Sequence, residues 1–362
     1  MSKITKNIRT RTPQGALPAG LIIATDWSWR IIVIITAVAL SILIIAQLSF
    51  IVIPLLIALL LAAIISPLFN WLVRRRVPKW LATIISVVSL IGIVVGIIWI
   101  VVSAVMRSWP SLQAQSLEAY EEFEQFLLNS PLQVTQTQLQ GWFSEFTSSF
   151  DTSLLLSGAL SIGSSLGTLL IGLTLAVFTL IFFIHDGDQI WRFLIRLFPR
   201  NAQVAVDGAG RAGWVTFTTF VKAQVLVALI DAIGIGLGAW ILGLPLALPI
   251  ALIVFLGSFV PIVGAFVTGA IAVFIALVYQ GFTAAIIMLV IVIVVQQLEG
   301  QILQPFIIGK SVRIHPLAVV LAVTAGGFLA GIPGALFAVP LLALVNVFIR
   351  YIASGIWKTQ PD

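Results

Sequence analysis

Two acidic residues stand inside long apolar stretches of this chain. Asp231 lies within Val221 to Leu242, and Glu299 lies within Phe282 to Leu303. An ionised carboxylate in lipid is costly unless it is paired, hydrated or protonated, so intramembrane acids often serve ion or proton pathways. The alternatives are structural: a partner for an Arg or Lys in the case of Asp231, and a helix-end position in the case of Glu299.

Glutamines surround the second acid. Gln296 and Glu299 share one helical face, whereas Gln297, Gln301 and Gln304 lie on another at about 100° per residue. Two polar faces on one helix predict that this helix lines a hydrated path. The alternative is that the glutamines hydrogen-bond to neighbouring groups in a crowded bundle.

Glycine and proline interrupt two apolar segments near their middles. Such residues break helices and free backbone polar groups, which in lipid must be shielded by protein or face a wet cavity. Each segment therefore predicts two half-helices that meet at a tip, where helix termini could face a ligand; close packing is the simpler alternative. The candidate tip residues are Gly257, Pro261 and Gly264 in the first segment, and Gly331, Pro333 and Gly334 in the second.

The two interrupted segments form a repeat. One reads PLALPIALIVFLGSFVPIVGAFVTGAIA from Pro245 and the other PLAVVLAVTAGGFLAGIPGALFAVPLLA from Pro316, each after an apolar segment with one acid. Both are too long for one crossing of a hydrocarbon layer about 30 Å thick. If each is a re-entrant hairpin, the first enters and leaves outside and the second inside, which predicts inverted topology.

Composition places the whole chain in a membrane. It is 60% hydrophobic and 9% charged with a mean hydropathy of +1.16, and long uncharged runs separate its charged stretches. We therefore predict an all-α integral membrane protein with about eight hydrophobic segments: six spanning helices and two interrupted re-entrant hairpins that form an inverted repeat. The net charge of +6 reflects cytoplasmic loops and does not indicate a nucleic-acid partner.

The charge pattern predicts the order of segments along the chain. A turn is expected between Gln47 and Pro54, and of nineteen basic residues only Arg107 falls outside, as the positive-inside tendency requires. The expected parts are a cytoplasmic tail (1–30), spanning helices 1–3 (31–106), an extracytoplasmic helical cap (107–157), spanning helix 4 (158–184), a cytoplasmic amphipathic connector (185–222), a helix with hairpin 1 (223–279), a helix with hairpin 2 (280–350) and a cytoplasmic tail (351–362).

The sequence contains no pattern that supports enzymatic or cofactor chemistry. There is no cysteine, which excludes disulfides, thiolate metal sites and cysteine nucleophiles. His185 with Asp186 and Asp188 lacks further ligands at suitable spacing, so we interpret it as a helix-end cap. The glycines from Gly234 lie in a membrane helix and form no dinucleotide fingerprint. We expect no catalytic residue, no metal and no cofactor.

Several motifs resemble the autoinducer-2 exporter family of bacterial transporters. The resemblance spans Ile31 to Tyr351 and includes QLEGQILQP from Gln297, HPLAVVLAVTAGGFLAGIPGALFAVPL from His315, DGDQIWRFLIRLFP from Asp186 and GLPLALPIALIVFLGSFVPIVG from Gly243. It implies export of a quorum-sensing furanone, sodium or lithium antiport against protons in some members, homo-oligomers such as pentamers, and movement of a transport domain against a scaffold.

Three functions are consistent with this sequence. The first is secondary transport of a small organic solute across the bacterial plasma membrane, with both termini cytoplasmic. An ion gradient is the expected energy source, because no ATP-binding P-loop occurs. The second is cation/proton antiport, for which a pair formed by Asp231 and Glu299 would suffice. The third is a membrane scaffold, which would need neither acid.

Overall fold

The computed structural model describes residues 19–128, 152–260, 263–303 and 315–355. In these ranges the regular structure is helical throughout, which confirms the predicted all-α class. The segment 129–151 of the expected cap and the tip residue Pro261 lie outside the described residues. The helices are α1 (Ala19–Gln47), α2 (Ser49–Arg74), α3 (Lys79–Leu128), α4 (Thr152–Arg196), α5 (Arg200–Ile241), α6 (Ala247–Gly257), α7 (Val263–Leu298), a π-helical turn (Glu299–Leu303) and α8 (Pro316–Ser354).

By length and composition alone, six helical stretches in the described part of the chain could cross a membrane. Many of their large apolar side chains are exposed, as is expected when lipid rather than water is the surrounding solvent. The chain is thus a multi-pass membrane protein. The stretches are Ser49–Arg74, Lys79–Leu112, Leu170–Arg196, Arg200–Ile241, Gly264–Gln301 and Leu317–Ser354.

The N-terminal helix starts earlier than its sequence predicted. The chain divides into two compact units between Val52 and Ile53, and α1 belongs to the first. α1 ends at Gln47 and α2 begins at Ser49, within the range expected for the turn. The expected boundary of a cytoplasmic tail at residue 30 is not a helix boundary, because no proline interrupts the chain between Ala19 and Arg30.

The third helix is longer than expected. Residues 107–157 were expected to form a separate cap, but α3 continues from Lys79 through residue 107 to Leu128, a length of 50 residues. The change to polar composition at residue 107 therefore does not coincide with a helix end. The physical reason is that Glu, Gln, Leu and Ala, which fill the stretch after residue 112, are strong helix formers.

The expected connector at residues 185–222 is also not a separate helix. α4 runs on to Arg196, and after a short break α5 begins at Arg200. One hydrogen bond joins the two helix ends: Trp191 Nε1 of α4 donates to Asp207 Oδ1 of α5 at 2.8 Å. Within α5, Arg211 Nε donates to the same oxygen at 2.9 Å. These residues therefore continue two long helices, which are interrupted at residues 197–199.

The first interrupted segment folds back on itself. α6 ends at Gly257, and a Cβ added at Gly264 would overlap the Gly257 carbonyl group, while one added at Gly257 would overlap the Thr268 side chain. Residues seven and eleven positions apart are not in such contact along a straight helix. We call the folded-back segment Ala247–Gln280 hairpin 1.

α7 bends sharply where hairpin 1 ends. Gly281 has φ 79° and ψ −172°, a conformation essentially restricted to glycine. The two parts of α7 before and after Gly281 run antiparallel to each other, since a Cβ added at Gly269 would lie 2.8 Å from Val292 Cγ1. We call the second half, Phe282–Leu298, α7b. Side chains from α5, from both arms of hairpin 1 and from α7b form one buried core, which includes Ile235, Ile250, Ala272 and Met288.

The second interrupted segment makes an analogous turn. α8 leaves helical geometry at Ala330 and at Gly331, which has φ 61° and ψ −145°. A Cβ added at Gly334 would lie 2.6 Å from the Gly326 carbonyl carbon, although eight residues of straight helix would separate these positions by about 12 Å. α8 is therefore a hairpin as well, and we call Pro316–Ser354 hairpin 2.

The two hairpins are anchored at opposite ends of α5. The Gln280 amide at the base of hairpin 1 donates to the carbonyl of Leu242, directly after α5. Tyr351, at the base of hairpin 2, packs on Gly208 near the start of α5. The stretch between Gly208 and Leu242 is roughly 50 Å long at 1.5 Å per residue. Both tips therefore reach back toward the middle of α5.

The backbone contact within hairpin 1 generates a stability prediction. We expect Gly264→Ala to lower the melting temperature of the detergent-solubilised protein, because the new Cβ meets a backbone carbonyl that cannot rotate away. Overpacking of this kind costs about 1–3 kcal/mol. The matched control is Gly96→Ala in α3, where a Cβ meets nothing within 4 Å and the melting temperature should stay equal or rise. Equal melting temperatures for the two variants would contradict the folded-back geometry.

The direction of α3 across the membrane can also be tested. Because the natural chain has no cysteine, single-cysteine variants can be labelled without background. A membrane-impermeant maleimide added to intact cells should label Arg107→Cys and leave Arg76→Cys unlabelled, since the basic cluster Arg74 to Arg76 favours the cytoplasm. The reverse pattern would invert the topology, and equal labelling of both positions would refute a membrane crossing between them.

Candidate functional site

The side chain of Asp231 is almost completely buried. Its side chain is 1% exposed, and its Oδ2 accepts a hydrogen bond from Ser258 Oγ at 3.2 Å. Oδ1 accepts no hydrogen bond from an N–H group or a hydroxyl in the described part of the chain. The ionisable neighbour that acts on this carboxyl is Glu299, which interacts with it both by charge and as a hydrogen-bonding group. Two carboxyl groups share a hydrogen bond only when one carries a proton, so the pair is suited to holding a proton or a cation.

Close packing of α5 against α7b brings the two acids together. A Cβ added at Gly238 would lie 2.6 Å from Ile291 Cγ2, and one added at Gly234 would lie 2.9 Å from Val295 Cγ2. When the residue number on α5 falls by four, the number of the contacting residue on α7b rises by four, so the two helices are antiparallel. The next step of four reaches Ile230 on α5 and Glu299 after α7b, so Asp231, which directly follows Ile230, lies close to the level of Glu299. An acid pair, rather than the alternative of an Arg or Lys partner for Asp231, is what the described residues form.

The glutamines around Glu299 separate into two groups. The Nε2 of Gln296 is buried and has no hydrogen-bond partner among the described residues, so Gln296 remains a candidate pathway residue. Gln297 and Gln301 are exposed, and Gln301 Nε2 donates to Gln297 Oε1 at 3.2 Å. Glu299 itself starts the π-helical turn, a local distortion that recurs at functional sites.

The tip of hairpin 1 contributes a residue that sequence reasoning missed. Ser258 is 6% exposed, and besides its contact with Asp231 its hydroxyl lies 2.9 Å from the carbonyl of Val254. Its own carbonyl accepts a hydrogen bond from Gln224 Nε2 at 2.6 Å. Gln224 precedes Asp231 by seven residues, two turns along the same face of α5. Gln224, Ser258 and Asp231 thus form a hydrogen-bonded chain between α5 and the tip.

A small cleft opens beside this chain, where the two hairpins approach the middle of α5. Its wall is apolar and partly aromatic, and Gln224 supplies its polar side chain. Gln224 therefore belongs to the cleft and to the chain that ends at Asp231. The lining comprises Phe220, Val221 and Gln224 of α5, Phe259 of hairpin 1, Leu336 and Pro340 of hairpin 2, and Leu60 of α2.

The predicted tip glycines and proline serve the hairpin turns. Gly257 packs against Gly264, and Gly334 packs against Gly326, so these positions allow close backbone approach. Gly331 provides the turn of hairpin 2, and Pro333 follows at the start of the second arm, where a missing N–H is tolerated. None of them lines the cleft. Gln224 and Ser258 carried a detectable signal, since each is a polar residue within an apolar run.

Comparison with known proteins identifies the family. The sequence profile described as "AI-2E family transporter" matches residues 31–354. A Mycobacterium tuberculosis (strain CDC 1551 / Oshkosh) protein named "Putative transport protein MT0215" is 37% identical over 331 residues, 91% of this chain and 90% of that protein. The "AI-2 transport protein TqsA" of Escherichia coli (strain K12) is 23% identical over 84% of this chain and 87% of its own length. The chain belongs to the AI-2E family of membrane transport proteins.

The composition of the acid pair leads to a prediction about stability. Asp231→Asn retains the shape of the side chain and can bond Ser258, while it removes one of two neighbouring acids. We expect this variant to melt at the wild-type temperature or above. If Asp231 instead balanced a buried cation, the same substitution would cost about 3–5 kcal/mol. Thermal melting in detergent distinguishes the two, with Asp231→Leu as the control that also loses the Ser258 contact.

Proposed function

We propose that this transporter exports a small organic solute across the bacterial plasma membrane and draws its energy from an ion gradient. The observation that supports this most is the apolar cleft beside the buried Asp231–Glu299 pair, joined to it by the chain through Gln224 and Ser258. The cleft suits an organic molecule, and the acid pair suits a proton or a cation. A transporter that couples two fluxes needs both.

The chemistry of the cleft favours a neutral solute. Phe220, Phe259 and Leu336 offer apolar surface, and the Gln224 amide offers hydrogen bonding. A charged solute would find no counter-charge among these lining residues and would lose its hydration without compensation. One relative is named for transport of AI-2, which makes an autoinducer-2-like signalling molecule the first solute to assay.

The acid pair supports ion coupling. Two neighbouring carboxyl groups in an apolar bundle favour uptake of a proton or of Na⁺, because either reduces their mutual repulsion. Binding from one side of the membrane and release to the other would then transmit the gradient to the solute. No P-loop occurs in the sequence, so a gradient is the energy source we propose.

Anchoring of the hairpins at opposite ends of α5 supports an inverted repeat. In our proposal hairpin 1 is open to the outside at its base, hairpin 2 to the cytoplasm, and both chain termini are cytoplasmic. Assembly into a homo-oligomer, with a pentamer as the first candidate, would provide the scaffold against which a transport domain that contains the repeat moves.

Cation/proton antiport is the second candidate. The specific observation that favours it is the acid pair itself, because exchange of H⁺ for Na⁺ or Li⁺ requires no organic solute. A scaffold without transport is the third, and for it neither acid would matter.

Flux through proteoliposomes tests these functions. Under an imposed pH or Na⁺ gradient, we expect Asp231→Asn and Glu299→Gln to reduce gradient-driven flux of the AI-2-like solute to the level of protein-free liposomes. The cause is loss of the group that takes up the coupling ion. The matched control is Asp188→Asn, an exposed acid about two turns before the end of α4, which should transport as the wild type does.

The pattern of residual flux separates the candidates. Downhill solute flux that survives in the acid variants favours solute transport, whereas an antiporter without its exchanging carboxyl should carry nothing. Wild-type gradient-driven flux in both acid variants would refute the coupling role of the pair. Absence of any flux in the wild-type protein, with either the solute or Na⁺, would favour the scaffold.

A further inference from the structure

The tip of hairpin 1 is tied to α5 by two polar contacts. Gln224 Nε2 donates to the carbonyl of Ser258 at 2.6 Å, and the Ser258 hydroxyl donates to Asp231 at 3.2 Å. Both partners lie on α5, and Ser258 and Asp231 are buried. An Asp carboxyl accepts from a hydroxyl when ionised and can donate to it when protonated, so this tie is compatible with either charge state.

The tip of hairpin 2 has a different composition. Gly326 to Gly334 reads GGFLAGIPG, in which no side chain can donate or accept a hydrogen bond. In the repeat, Gly327 occupies the position of Ser258. Phe328 is 92% exposed and Ile332 is 73% exposed, so these tip side chains stand out of the packed bundle. Toward the cleft, hairpin 2 presents only the apolar Leu336 and Pro340.

This difference determines which tip can leave α5 more easily. Withdrawal of hairpin 1 would strip the Ser258 carbonyl and the Asp231 carboxyl of partners in an apolar interior, where unpaired polar groups are costly. Withdrawal of hairpin 2 breaks apolar contacts, which are non-directional and leave no polar side chain unpaired.

We propose that Gln224 is a positioning residue: with Ser258 it holds the tip of hairpin 1 on α5 beside Asp231, so that hairpin 2 is the one that moves to open the cleft. The role of this motion in transport rests on the proposed function. The motion itself can be measured without any solute.

Spin-label distances in lipid nanodiscs test the proposal. Leu226 on α5, Leu256 on hairpin 1 and Phe328 on hairpin 2 are exposed, and the chain has no native cysteine to label. In pulsed EPR, the pair 226/256 should give one narrow distance distribution, and the pair 226/328 a broad or two-peaked one. Dilution of labelled chains with unlabelled chains removes distances between neighbouring copies.

Variants test whether the contacts of Ser258 with Gln224 and Asp231 keep the 226/256 distance distribution narrow. Gln224→Leu and Ser258→Ala should each broaden the 226/256 distribution and leave 226/328 unchanged, whereas a general loss of structure would broaden both. The matched control is Gln203→Leu, which removes a glutamine amide that bonds the carbonyl of Phe198 at the start of α5. It should alter neither distribution.

The outcomes separate this proposal from the proposed function. A broad 226/256 distribution in the wild type, a narrow 226/328 distribution, or no response to Gln224→Leu would each overturn the assignment of hairpin 1 as the fixed arm. If the distances behave as expected but proteoliposomes show no flux, the tie stands and the transport role fails. If flux occurs while 226/256 is broad, transport stands and the tie fails.

Discussion

The Asp231 carboxyl group is held out of water inside a membrane protein, and this constrains the residues around it. Such a group must find polar partners within the chain, and here they come from two different elements: Ser258 on the tip of hairpin 1 and Glu299 at the end of α7b. The break in the first interrupted segment is what delivers a serine to the middle of α5. The fold thus brings a helix end and a hairpin turn to one buried acid.

Glycine residues at several positions allow these elements to approach closely. Gly234 and Gly238 let α5 and α7b approach closely enough for their acids to interact, and Gly257 against Gly264 narrows hairpin 1. In lipid there is little hydrophobic drive between helices, so close contact of small residues supplies the packing energy. A side chain at any of these positions would separate elements that the acid pair requires to be close.

Much of this arrangement could be predicted from sequence because its signals are local. A proline or glycine in an apolar run indicates a break, and an acid in such a run attracts attention wherever it lies. The lengths of α3 and α4 could not be predicted in this way, since a change from apolar to polar composition locates the end of the bilayer and not the end of a helix. Gln224 and Ser258 are polar residues in apolar runs, a signal that marks them as unusual but does not pair them, because the residues in contact lie 34 positions apart and meet only in the tertiary fold.

The position of Gln224 suggests how a neutral solute and a charge could influence each other. The lining of the cleft contains no ionisable group, so a solute bound there has no direct ionic contact with its walls. Its influence on the acids has to pass through geometry, and Gln224 is the lining residue that also bonds the tip next to Asp231. A solute that competes for this amide would loosen Ser258, and a change at Asp231 would in turn alter the wall of the cleft. Because such coupling is reciprocal, the same two hydrogen bonds would serve solute binding and ion binding alike.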